Sequence, residues 1–378
     1  MTLIRSRKTA KAVSFFLATL PVASFALAVA WGQNPVQKIK PAVVRIPKDP
    51  PVVPGIAPLG LELDLVIGNQ PSDENALFSE LIALQVSPDG TIYALDRKEV
   101  KLKIFDASGR FLRAVGKRGQ GPMEWQGPTS LFFGKDGVVV VGDFINNRIS
   151  RLSSAGEFGE ESPMGKWRSS VIRTDERGRI LLSVNITEPE RRLLQIHRFD
   201  SSMQWIEMVV TFEEKRTPPP HLNPYPETLR FNVLPNDDVI WGYTGAYEFH
   251  IIGPDGTERA VIRKEHDRVK VTEAERDETR KEFARPGVPP DLKLDFPEHH
   301  SAFWNFVVDE KGRLYVTTSE HDSEGRTRID VFDPDGGSFK KIFPPRGNRL
   351  AAVRDGMFYF IENENDEGVP VIKRYRLK

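Results

Sequence analysis

From residue 60 onward, short apolar runs are separated by turn dipeptides at regular distances. LIALQVSPDGTIYALD (81–96) and PTSLFFGKDGVVVVGD (128–143) each hold an apolar strand, an Asp-Gly turn, a second strand and a closing Asp. KLKIFDASGRFLRAVG (101–116) and RISRLSSAGEF (148–158) add a third strand, a Ser-Gly or Ala-Gly turn and a fourth strand. Gly90 and Gly137 are 47 residues apart, and so are Gly109 and Gly156. Asp-Gly between apolar runs is a strong hairpin signal, because Gly accepts the positive φ that such turns require.

The unit recurs with looser spacing. Glu176-Arg177-Gly178, Asp237-Asp238, Lys311-Gly312 and Asp355-Gly356 each join a first strand to a second. The count is five four-stranded units and a last unit with three strands. The leftover run LELDLVIG (61–68) supplies the missing fourth strand. A period of about forty to fifty residues with four strands is the signature of a β-propeller. The expected fold is therefore all-β: a six-bladed β-propeller over residues 60–378, its last blade closed by an N-terminal strand. An extended β-sandwich would lack this self-similarity. One short helix is expected inside the longest insertion, where Thr272-Glu273-Ala274-Glu275 forms a capping box and Pro286-Gly287 ends the run.

Residues 1–30 read as an address. Arg5, Arg7, Lys8 and Lys11 precede an apolar run, 12–30, that ends Ala28-Val29-Ala30. This is a signal-peptide pattern with cleavage after Ala30, and Pro21 suits it better than an uncleaved membrane anchor. Residues 31–59, with seven prolines, read as an extended linker. The expected location is periplasmic or secreted.

Charge narrows the function. The chain holds 53 basic and 53 acidic side chains, so losing the four cations of the leader leaves a net charge of −4. That disfavours nucleic acid as a partner. With no cysteine, a thiolate metal site, a Cys nucleophile and a disulfide framework are excluded.

Blade two, GQGPMEWQGPTSLFFGKDGVVVVGDFINNRI, resembles the NHL-repeat type of propeller. The residues that carry the resemblance are Gly119, Gly121, Pro122, Pro128, Asp136, Gly137, Asp143, Asn146, Asn147, Arg148 and Ile149. Trp125 stands where that family has an aromatic. The stretch LDFPEHHSAFWNFVVDEKGRLYV is similar to exported bacterial six-bladed propellers. The resemblance implies a fold, since propellers host unrelated functions. The Asn-Asn-Arg triplet reads as turn chemistry that ties segments together by hydrogen bonds.

In a blade, the first–second and third–fourth turns share one face. The second–third turns and the blade-to-blade connections share the other. The tight glycine turns fall in the first set. The long segments 116–126, 185–192, 215–229 and 264–301 fall in the second, so binding is expected on that face. Trp125, His221, Tyr225, His299, His300 and Trp304 lie in or beside these segments and are the candidate binding residues. Trp304 opens an inner strand, which favours burial. His299 and His300 are adjacent, so their side chains diverge on a strand and seldom chelate one ion.

Some propellers resembling this one are enzymes that hold a cation in the channel. Here the inner strands LIALQVS, PTSLFFG, SVIRT, RFNVLP, FWNFVV and RLAAV carry no Asp, Glu or His. Their polar exceptions include Gln85, Ser130, Arg173, Asn232 and Asn305. No Gly-x-Ser-x-Gly elbow occurs. The leading expectation is a monomeric, non-catalytic protein without a cofactor or membrane contact. It would bind a protein, peptide or glycan on the long-loop face. A metal-dependent, lactonase-like hydrolase or a lyase with a divalent cation held by loops is the first alternative. A structural envelope scaffold is the second.

Overall fold

The computed structural model describes residues 41–48, 60–69, 74–335, 339–363 and 368–378. The proposed leader, 1–30, and most of the Pro-rich stretch lie outside the described residues. Among the described residues, no helix is long and apolar enough to cross a membrane.

Six sheets form six blades, each built on four antiparallel strands. Their innermost strands are Leu81–Val86, Pro128–Phe133, Ile172–Thr174, Leu229–Val233, Phe303–Val308 and Asn348–Arg354. Each inner strand neighbours the next around a ring, and the sixth returns to the first. Blade six has three strands from the C-terminal end of the chain. Its fourth is Leu61–Ile67, antiparallel to Val371–Leu377. The ring thus closes on the strand expected from the sequence, with Arg374 paired to Asp64 and Arg376 to Glu62 across the seam.

The apolar core is divided among the seams between blades. Among the described residues it forms six clusters, each shared by two adjacent blades. Phe249 of blade four meets Phe303 and Phe306 of blade five, and Leu181 and Leu194 of blade three meet Leu229 and Val239 of blade four. A blade buries both its faces, so its second strand cannot alternate apolar with polar. IYALD and VVVGD are accordingly buried at every position.

The closing Asp of those two strands is a buried acceptor. Asp143 takes backbone N–H bonds from Gln126 (2.8 Å), Gly127, Ile145 and Asn146 (3.0–3.1 Å). Asp96 does the same for Ser79, Glu80 and Glu99. One carboxylate thereby fixes both the chain entering the blade and the turn after its second strand. The triplet beside it works on the same entry loop. Asn146 donates to the carbonyls of Gly119 and Glu124, and Arg148 to those of Gln120 and Gly121.

The linker reading of 31–59 needs correction. Within it, Ala42–Ile46 is a strand, paired in parallel with Glu258–Lys264 from Ala42↔Ala260 to Ile46↔Lys264. Blade four therefore has five strands. AVVRI is apolar enough to cover the outer edge of ERAVIRK, and Ile46 joins the core between blades four and five. The segment 185–192, expected as a long loop, is instead the tip of a hairpin between the long strands Ile180–Thr187 and Arg191–Phe199.

Asp143→Ala leaves several buried N–H groups without an acceptor. It should lower the unfolding free energy by about 3 kcal/mol, read from urea midpoints. A loss below about 1 kcal/mol would mean that water replaces the carboxylate.

Candidate functional site

All inner strands run the same way, so their first residues lie at the face that carries the blade-to-blade connections. Two of those connections, 216–228 and 265–301, are bound to each other. His221–Leu222 pairs in parallel with Lys293–Leu294, and His221 Nδ1 lies 2.9 Å from the Asp295 carboxylate. The helix Glu273–Phe283 starts at the expected capping box, Thr272 with Glu275. Tyr225 shares a hydrogen bond with the Thr279 hydroxyl (2.6 Å), and its ring meets His300 edge-on. His300 Nε2 is 3.1 Å from the Glu275 carboxylate. Burial would raise the Glu275 carboxyl. Hydrogen bonds from Thr272 and the His300 ring outweigh it and hold the group below its ordinary value. The cap of the helix thus also anchors His300.

The six candidate residues do not form one site. Trp125 is fully buried, with Nε1 donating to the Ser150 hydroxyl at 3.0 Å. Its ring fills the space beside Gly116, where a Cβ would lie 2.2 Å from it. It is a core residue of the seam between blades one and two and offers no surface for stacking. His221, Tyr225 and His300 are brought together, but as the rivets of the two insertions. His299 bridges to Lys270 through the backbone, and its ring lies 3.8 Å from the Glu298 carboxylate. Trp304, expected in the core, is 40% exposed. A register shift between Phe303 and Asn305 sends Phe303 to the seam and leaves the Trp304 ring at the channel mouth, 6.0 Å from His300. Leu222, Ile145 and Ile186 are also exposed on turns and connections of this face.

Beneath the mouth lies a cavity of about 500 Å³ bounded by all six inner strands. Four arginines line it; Arg354, at the tight-turn end, lies 3.8 Å from the Asp355 carboxylate, and the other three have no acid partner among the described residues. Arg230, the second residue of its strand, donates from Nε to the Trp304 carbonyl (3.1 Å). Arg349, also second in its strand, donates to the Ile82 carbonyl (3.1 Å). Arg173 sits deeper, donating to Asn232 Oδ1 (3.2 Å) and to the Ile172 carbonyl (2.8 Å). Burial, and then the charge of Arg230, pushes the Arg173 guanidinium down to about 10. Burial alone lowers Arg230 and Arg349. All three remain cationic at neutral pH. Among the described residues none of the three has an ion pair. Glu176 and Glu310, the acids lining the cavity, follow their strands and so lie toward the tight-turn end.

Nothing in the histidine and aromatic count points to these arginines. The available signal was an Arg inside an otherwise apolar inner strand: VIRT, LRFNV and NRLAAV. Among the described residues, no three His, Asp or Glu side chains converge as a metal ligand set.

Two contrasts follow. Trp125→Ala should cost about 3–5 kcal/mol, while Trp304→Ala should cost under about 1 kcal/mol. Thermal melts of both variants check this; equal losses would contradict the placement of the two rings. Arg173→Met removes an unpaired, half-buried cation and keeps much of its volume. It should stabilise the fold by about 1 kcal/mol, and a lower melting temperature would refute that expectation.

Comparison with known proteins agrees with the architecture. Residues 72–217 match a family profile described as a 6-bladed beta-propeller. No curated protein matches the chain. Among solved structures it is similar to a Bacteroides fragilis protein described as exported, at 13% identity over 89% of this chain and 100% of that one (TM-score 0.57). It is also similar to a Bacteroides vulgatus protein, at 13% identity over 85% and 99% of the two chains (TM-score 0.49). A third is virginiamycin B lyase from Staphylococcus aureus, at 13% identity over 84% and 100% (TM-score 0.46). At these identities the likeness is one of fold. The six closed blades and the matched profile give one conclusion: the chain is a six-bladed β-propeller.

Proposed function

We propose that this is an exported, non-catalytic binding protein that holds a protein, peptide or glycan on its long-loop face. The observation that carries the reading is the fixed rim at the channel mouth. Two long connections are bound to each other by a small parallel sheet, a histidine–carboxylate pair and the capped helix. Beside them the Trp304 indole is exposed, and the cavity lining begins at the next residue of its strand, Asn305. Ordering long loops costs conformational entropy, which a binding surface recovers by being formed before the ligand arrives. An aromatic face at such a mouth suits a sugar ring or an apolar side chain.

Export is supported by the basic start, the apolar run and the Ala-x-Ala ending of residues 1–30. In this reading the protein works as a monomer, without a cofactor and without contact to the membrane or to nucleic acid.

Deleting 272–284 tests the reading. The propeller should keep its melting transition, because the helix lies outside the six seams. Binding to glycan and peptide arrays should fall at least tenfold in the deletion and in Trp304→Ala. Unchanged array binding would make the rim decoration. Elemental mass spectrometry of the purified protein should find no stoichiometric metal, and one tightly held ion per chain would favour the hydrolase or lyase alternative.

A further inference from the structure

The fully buried cations among the described residues are matched to acids. Lys264 faces Asp330 at 3.5 Å with both side chains buried, and Arg328 donates to the same carboxylate at 2.6 Å. Arg198 pairs with Glu207, Lys103 with Glu99, and Arg148 with Glu161. The channel differs: among the described residues its half-buried Arg173 and Arg230 and its exposed Arg349 have no acid partner. Arg173, Arg230 and Arg349 come from blades three, four and six and line one cavity, and their protein acceptors are neutral carbonyl and amide oxygens. A guanidinium has five N–H donors. Arg173 directs two to the protein, and Arg230 and Arg349 one each, so most of the fork of each group is open to the cavity.

An unpaired cation taken out of water destabilises a fold, and a second one beside it adds repulsion. Three such groups around one cavity fit a role in binding. The chemistry that satisfies these groups is an oxyanion. Guanidinium forks match carboxylate, phosphate and sulfate in charge and in geometry.

We propose that the channel beneath the long-loop mouth is an oxyanion site, in which Arg173, Arg230 and Arg349 receive the acidic group of a ligand whose remaining part lies against Trp304. The inference rests on the binding function proposed above and narrows its ligand to an acidic one. Height along the channel supports it. Arg230 holds the backbone of Trp304 itself, so the cation and the indole belong to one rim. Arg173 lies a step deeper, level with Asn232, where an anion entering past the indole would arrive. The acids that line the cavity, Glu176 and Glu310, follow their strands and stand at its far end.

The test is calorimetric titration of the purified protein at low ionic strength with glucuronate, glucose, inorganic phosphate and sulfate. At least one of the three oxyanions should bind with a submillimolar Kd and raise the melting temperature. Glucose, the uncharged match of glucuronate, should bind at least tenfold more weakly. Arg173→Met/Arg230→Met should weaken the oxyanion at least tenfold. Arg349→Gln, at the more exposed position, provides the same comparison should the double variant fail to fold. Glucuronate above phosphate and sulfate would identify an acidic sugar, and the reverse order a phosphorylated or sulfated group. Absence of binding by all three anions, or equal binding to the arginine variants, would overturn the inference. If a neutral glycan or peptide then bound in a Trp304-dependent manner, the general binding reading would stand while the oxyanion site fell.

Discussion

A ring of wedges is stable only when its last gap is filled. Leu61–Ile67 on Val371–Leu377 fills it here, and the other features depend on that seam. Each apolar cluster is shared by two blades, so an open seam would expose Ile67, Leu81 and Ile372 together. It would also release the inner strands from their circle. The cavity exists because six inner strands are held at one distance from an axis, and the long connections share a face for the same reason. Ion pairs at the seam, Arg374 with Asp64 and Arg376 with Glu62, add register to the backbone ladder, although their exposed positions make each worth little by itself.

The same geometry explains which parts of the molecule could be read in the sequence. Turn glycines, continuous apolar second strands and the closing aspartates are local consequences of a blade buried on both faces. They therefore left a repeating trace. The early strand was legible because the last unit lacked one. The capping box is local too, and the helix begins where it lies. Ala42–Ile46 escaped because its pairing is parallel and distant, while the prolines around it carry the stronger local signal. Trp125 and Trp304 exchanged their expected roles for physical reasons. A side chain in a connection can be drawn into a seam when a glycine such as Gly116 makes room. A register shift can turn one residue out of an inner strand.

The arginines show a different limit. A sequence reveals an Arg within an apolar strand, but not whether an acid stands opposite. For Lys264 and Arg328 the acid is Asp330, and the network is finished within the protein, with Tyr247 donating to the same carboxylate at 2.8 Å. For Arg173, Arg230 and Arg349 it is not. Rigid scaffolds can carry such unfinished chemistry because packing elsewhere holds the groups in place. The twelve faces of six blades supply that packing, and the channel is where strain from unsatisfied charge accumulates with least effect on the core.

The fifth strand of blade four has a consequence for the order of events during folding. Residue 42 finds its partner at residue 260, and residue 61 finds its partner at residue 377. The two segments made first are therefore among the last to be placed. Contacts so far apart in sequence form slowly, and until they form, AVVRI and LELDLVI are exposed strands in search of an edge. Arg45, Glu62 and Asp64 interrupt both segments with charge, which discourages pairing with a neighbouring chain during the wait. The separation of these pairings in sequence makes the two early strands late latches on a ring begun from the middle of the chain, as long-range contacts form after local ones.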